Sequence, residues 1–336
     1  MSRYRVIILL FGPLLLIAAC YCATWAISAS ESDFRSPAED LASPSREELD
    51  RLSPDNDEGE AGDIDRRCQL TARRLQTRLG QSYQVVSRPP YVLAGDMTAD
   101  SLDSHYRETI APTQQALDTM FFDHAPSHPI VILLLSDDVG YRKVSRHFDG
   151  LHRDCYAGYY IRNERRIVVN ISTGNGTLAH ELTHALAHAD CEQLPEWFDE
   201  GLASLYEHSE FSEDGLQLLG ATNWRVHYLL QAYRQKHIPS IETLIAHRTI
   251  RSNNEGIDYA LSRYFCLYLQ ERQLLGPFYR KFRQSMPEDP TGMHTLMHVF
   301  HVESFAAIEA GFGDWLKQTY LTQPVKKREE TLPDPR

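Results

Sequence analysis

Thr177-Leu178-Ala179-His180-Glu181-Leu182-Thr183-His184-Ala185-Leu186-Ala187-His188-Ala189-Asp190 reads as one helix. Leu178, Ala179, Leu182, Ala185, Leu186 and Ala189 make the stretch apolar and strongly helix-forming. The pattern predicts a buried helix entered through the turn Gly174-Asn175-Gly176, with Thr177 as its N-cap. Four residues apart on a helix, His180 and His184 share one face, and Glu181 stands beside them. Two neutral imidazoles on one face can hold Zn2+ while a position stays open for water, and an adjacent carboxylate can act as general base. The residues thus predict His180 and His184 as ligands and Glu181 as the acid/base of a hydrolytic zinc site.

A third ligand has to come from another element. Downstream runs Leu194-Pro195-Glu196-Trp197-Phe198-Asp199-Glu200-Gly201-Leu202-Ala203-Ser204-Leu205-Tyr206, where Pro195 suits the first turn of a second helix. Glu200 is the expected ligand, because small Gly201 and Ala203 beside it let the second helix approach the first. Glu196 and Asp199 read as solvated charges, the usual fate of helix carboxylates. Two other ligands stay open. Asp190 lies six residues after His184, a spacing that normally needs a turning glycine where Ala187 stands. His188 is one further turn along, where a cap on the helix C-terminus or a solvent-facing ring is the simpler reading.

His-Glu-Leu-Thr-His followed by Trp-Phe-Asp-Glu-Gly-Leu-Ala resembles the gluzincin metallopeptidases, the group holding thermolysin-like and aminopeptidase N-like enzymes. More closely it resembles bacterial peptidase MA-like proteins. The resemblance covers roughly residues 80 to 320 and includes Ile238-Pro239-Ser240-Ile241 with Leu244, and Gly311-Phe312-Gly313-Asp314-Trp315-Leu316. It implies an α+β fold: a small N-terminal mixed sheet with helices, the zinc helix, and a helical C-terminal half. It implies Glu200 as third zinc ligand and a strand before the zinc helix on which a substrate backbone is laid, resembled here by Gly158-Tyr159-Tyr160. That reading uses β-augmentation, with the glycine admitting the peptide; an ordinary core hairpin is the competing one. No acidic residue stands in that strand to hold a free amine, which favours an endopeptidase over an aminopeptidase. Tyr259 resembles the tyrosine that stabilises the oxyanion in aminopeptidase N-like enzymes. Tyr264 is the fallback, and a core position for both is the commoner fate of such residues.

Around these motifs the periodicity predicts helices over 64–79, 99–122 and 137–148 and strands over 83–86 and 130–135. A hairpin of 157–161 and 166–171 follows, joined by Arg162-Asn163-Glu164-Arg165. Everything after Glu200 reads helical, with 223–235, 257–275 and 304–320 the longest segments.

The chain has 336 residues, 42% hydrophobic and 10% aromatic, ordinary for a globular protein. Residues 31–65 hold 13 acidic and 3 basic side chains, −10 of the net −12, so the acidity belongs to a linker. No basic patch suggests nucleic acid. Arg3 and Arg5 precede the uncharged run from Val6 to Ile27, long enough to span a bilayer with its basic end in the cytoplasm. Three fates compete: a signal anchor, favoured by Tyr21 and Trp25 near the outer end, a cleaved signal peptide, or a lipoprotein signal at Ile17-Ala18-Ala19-Cys20. The expected organisation is a signal segment over 1–27, an acidic disordered tether over 28–65, a catalytic domain over 66–323 and a disordered tail over 324–336. Within the catalytic domain the α/β part runs to about 176 and the helical part from 177. Cys68, Cys155, Cys191 and Cys266 allow two disulfides, Cys155 to Cys191 among the options, or stay as buried thiols. The expected protein is a membrane-tethered zinc peptidase on the outer side of a bacterial membrane, periplasmic or cell-surface, taking peptide or protein substrates. The competing classes are a catalytically inactive zinc-binding module of the envelope and a tethered structural domain without metal.

Overall fold

Short apolar runs flanked by turn residues build the sheet. They are β1 (Gln84–Arg88), β2 (Tyr91–Gly95), β3 (Ile130–Leu135), β4 (Gly158–Ile161) and β5 (Arg166–Asn170), in the spatial order β1-β2-β3-β5-β4. The central three strands are parallel, and each edge strand runs antiparallel to its neighbour. The computed structural model describes residues 64–151, 157–247, 250 and 255–321, and over these the protein is mixed α+β with a small mixed sheet. The predicted membrane segment, nearly all of the acidic tether, Cys155 and the tail lie outside the described residues.

The central strands are buried at every position but Val131, and apolar except at the ends of β5, because both faces of the sheet are covered. On one face Val92, Ala94, Leu133, Leu135 and Val168 pack with Cys68 and Leu75 of helix α1 (Ile64–Leu79). Helices α2 (Ala99–His105) and α3 (Ala111–Met120), joined by the π turn Tyr106–Ile110, belong to the larger core on the other face. That core takes in Tyr91, Leu93, Ile132, Leu134, Ile167 and Val169. Helix α4 (Asp138–Asp149) returns to the first face through Tyr141 and Val144. The predicted single helix over 99–122 is therefore one helical path interrupted by a π turn.

Two helices on the larger core carry the motifs, α5 (Asn175–Asp190) and α6 (Glu196–Tyr206). The chain then forms a two-stranded hairpin, β6 (Ser209–Phe211) with β7 (Leu218–Gly220). This corrects the all-helical reading after Glu200, since three-residue strands are too short to show a period. Helices α7 (Val226–Arg234), α8 (Ile241–His247), α9 (Glu255–Glu271), α10 (Leu275–Ser285), α11 (Met293–Phe300) and α12 (Phe305–Leu316) complete the described chain. Strand β2 was also not expected, and it follows Pro89-Pro90 too closely to stand apart from β1 in the sequence. Among the described residues Cys68, Cys191 and Cys266 are free thiols, the first and last buried. Among the described residues no helix is long and apolar enough to cross a membrane.

Candidate metal centre

Helix α5 starts at Asn175, with Gly174 as N-cap at φ 97°, a conformation that favours glycine. Thr177 therefore sits inside the first turn rather than at the cap. Its Cγ2 faces strand β4 so closely that a Cβ on Gly158 would lie 2.6 Å from it. Leu178, Leu182, Ala185 and Leu186 bury the core side of the helix. At its far end Asp190 is a poor residue for a helix C-terminus. Arg283 Nη1 compensates by donating to both of its oxygens at 2.7 Å, and Tyr279 OH donates at 2.7 Å. The backbone N–H groups of Asp123 and His124 donate to the same carboxylate, whose side chain is fully buried. The competing ligand Asp190 is thus committed to locking the helix end.

Helix α6 is anchored by Trp197 and Phe198, both fully buried, each burial contributing about 1.5–3 kcal/mol. Trp197 donates to the Thr291 carbonyl at 3.0 Å, and Phe198 meets Phe278 edge-on at 5.1 Å. Gly201, expected to let α6 approach α5, instead faces α9: a Cβ there would lie 2.8 Å from the Ser262 carbonyl oxygen. The close approach of α5 to the end of α6 occurs at Gly176, where a Cβ would lie 2.4 Å from the Glu207 carbonyl oxygen.

These contacts leave three ligand atoms facing one another. His180 Nε2 and His184 Nε2 are 3.2 Å apart, and Glu200 Oε2 is 3.7 Å from the first and 3.6 Å from the second. A point equidistant from three atoms so spaced is about 2.0 Å from each, the length of zinc–nitrogen and zinc–carboxylate bonds. The donor set, two imidazoles and one carboxylate, also suits zinc. Glu181 is buried, and its carboxylate lies within 4.8 Å of the ligand atoms of His180 and His184.

Asp199, read from sequence as a solvated charge, is part of this centre. Its Oδ1 is 2.8 Å from His184 Nδ1 and its Oδ2 is 2.9 Å from His188 Nε2. Accepting the Nδ1–H of His184 fixes the tautomer that leaves Nε2 free to ligate. Nor does His188 cap the helix: its ring lies 5.7 Å from the Tyr160 ring and is largely buried. The missed signal was a histidine at every fourth position, 180, 184 and 188, with an acid directly before the expected ligand.

The electrostatics follow from these contacts. Burial, and next the adjacent His184, push the His180 imidazole down to about 4, so it is neutral at physiological pH. Burial pushes His184 down too, but Asp199 and Glu200 on its two sides outweigh this and hold it well above the ordinary histidine range. Burial raises the Asp199 and Glu200 carboxyls, and the neighbouring histidines reverse the effect, so both stay below their usual range.

The remaining predicted residues separate. Tyr159 points to the opposite face of the sheet, where its OH donates to Asp149 at 2.6 Å, so its side chain belongs to the core rather than to a substrate. Gly158 is small because Thr177 packs on it. Tyr160 lies on the metal side of the edge strand. Tyr259 is half-buried in the second turn of α9. The fallback Tyr264 is a core residue, donating to the Asn223 carbonyl at 2.9 Å and accepting from its N–H at 3.0 Å. In comparison with known proteins, no family model and no curated protein matches this chain.

Proposed function

We propose that the chain is a zinc-dependent metallopeptidase of gluzincin type. It acts as an endopeptidase, tethered by its N-terminal segment to the outer side of a bacterial membrane. The observation that carries this reading is the triangle of His180, His184 and Glu200, sized for a zinc ion, with Glu181 beside it. His180, His184 and Glu200 hold the ion. Zinc so bound supplies Lewis acidity, acidifying water and polarising a carbonyl. Glu181 takes the proton from the attacking water and passes it to the nitrogen of the leaving amine. Asp199 keeps His184 in its ligating tautomer. The backbone of β4 holds an extended peptide against the metal side of the sheet, with Tyr160 as its side wall. Tyr259 donates to the oxygen that becomes negative when the carbonyl is attacked. The membrane tether rests on the sequence from Arg3 to Ile27.

The test uses the full-length protein in detergent, assayed for zinc content and for cleavage of casein and a peptide library with and without chelator. Glu181→Gln keeps its zinc and loses about 10²–10⁴-fold in turnover, since the glutamate moves a proton and holds no metal. His180→Ala and His184→Ala lose the ion as well. Near-normal turnover in Glu181→Gln would remove the mechanism, and a zinc-loaded wild type that cleaves nothing would leave an inactive binding module. Fractionation of cells tests the location, with recovery of the whole chain in the cytoplasm as the contrary result.

A further inference from the structure

The sequence of α5 carries a third histidine that the reaction above does not use. His188 lies 11% exposed at its side chain, and its Nδ1 has no hydrogen-bond partner among the described residues. Its other nitrogen, Nε2, stands 2.9 Å from Asp199 Oδ2. At that distance the imidazole N–H donates and the carboxylate oxygen accepts. A carboxyl group turns easily about its last torsion, a broad two-fold rotor. One hydrogen bond to His184 leaves that rotation open. A second from His188, on the other oxygen, fixes the carboxylate plane and with it the ring plane of His184.

We infer that His188 is a positioning residue for the metal site, acting through Asp199 on the ligand His184. The same contact joins the site to the sheet, since the Tyr160 ring of edge strand β4 packs against His188. The chain of contact runs from β4 through Tyr160, His188 and Asp199 to His184 Nε2. His188 is set apart from that ion, because its Nε2 is taken up by Asp199, which lies on the Nδ1 side of His184 and away from the triangle.

The inference rests on the metal site proposed above, and its test reads zinc affinity rather than activity. The full-length protein is titrated with zinc against a chromophoric chelator. Outer-shell partners of ligating histidines typically contribute about 10–100-fold in metal affinity, and Asp199→Ala should fall in that range. His188→Ala and His188→Asn, which cannot reach Asp199 Oδ2, should weaken zinc by about 10-fold. His188→Gln places an N–H where Nε2–H was and should stay within about twofold of wild type. Adding His188→Ala to Asp199→Ala should cost nothing further beyond about twofold, because His188 acts only through that carboxylate. Unchanged affinity in both His188→Ala and His188→Asn overturns the inference. So does equal affinity in the Asn and Gln variants, which keeps the test open even where the Ala variant does not fold. A full additional loss on the Asp199→Ala background overturns it too, as does a second zinc equivalent in wild type that disappears in His188→Ala. A wild-type protein that binds no zinc refutes the metal site itself.

Discussion

His180 and His184 are the same side chain one helical turn apart, yet their surroundings push them in opposite directions. Burial and its neighbour take His180 down to about 4, while Asp199 and Glu200 hold a proton on His184. An arriving ion must expel that proton, so zinc affinity depends on pH. Below the raised pKa of His184 the proton competes, and apparent affinity should rise about tenfold per pH unit, levelling off above it. Only below about 4, where His180 also charges, does a second proton steepen the slope. Both carboxylates sit below their usual range and contribute nothing to the slope near neutrality. Competition titrations between about pH 5 and 7 measure it, and a flat profile there would deny the proton on His184. The residue scale also separates the tyrosines. Tyr264 is committed to Asn223, and on the proposed mechanism Tyr259 is the donor to the oxyanion, so Tyr259→Phe should lower kcat by about 10²–10³ with zinc content unchanged. An unaltered kcat would return Tyr259 to a packing role.

At the scale of elements, the glycine expected to admit a peptide has a different neighbour. Gly158 faces Thr177 Cγ2 at 2.6 Å and the Val168 carbonyl oxygen at 3.1 Å from a notional Cβ, so it lets α5 sit down on β4. Gly158→Ala should destabilise the fold by about 1–3 kcal/mol, read as a lower thermal midpoint, and adding Thr177→Ser should recover part of the loss by removing the methyl. A variant of normal stability with a raised KM would instead restore the substrate reading. Helices α5 and α6 were legible because their apolar residues recur at the helical period, and because ligand residues at i and i+4 leave a fixed signature. Strand β3 was legible as the uninterrupted run Ile130-Val131-Ile132-Leu133-Leu134-Leu135. The hairpin β6–β7 was not, although Glu213-Asp214-Gly215 offered a turn, since Ser209-Glu210-Phe211 shows no alternation to read. Asp199 and His188 were hidden for another reason. Both look like solvated helix residues until the crossing of α5 over α6 brings them together.

Over the described part of the protein, the site joins elements with different attachments. Helix α5 lies against the sheet at β4 and β5, and α6 lies against α9. An ion held by His180 and His184 from one helix and Glu200 from the other therefore cross-links the sheet side of the core to its helical side. A ligand that binds only the folded protein stabilises it by mass action, about 2.7 kcal/mol when free zinc is 100 times the dissociation constant. For a domain of this size that corresponds to about 5–11 °C in Tm, which chelation should remove. Two variants separate this linkage from chelator effects on the rest of the chain. Glu181→Gln should retain the full shift, because on the proposed mechanism Glu181 is a base and no ligand. His184→Ala should show the same Tm with and without chelator, because two remaining ligands hold zinc too weakly to matter. Thermal unfolding of the three proteins in parallel decides it: a chelator-dependent shift that persists in His184→Ala would mean that the stabilising ion sits elsewhere in the protein.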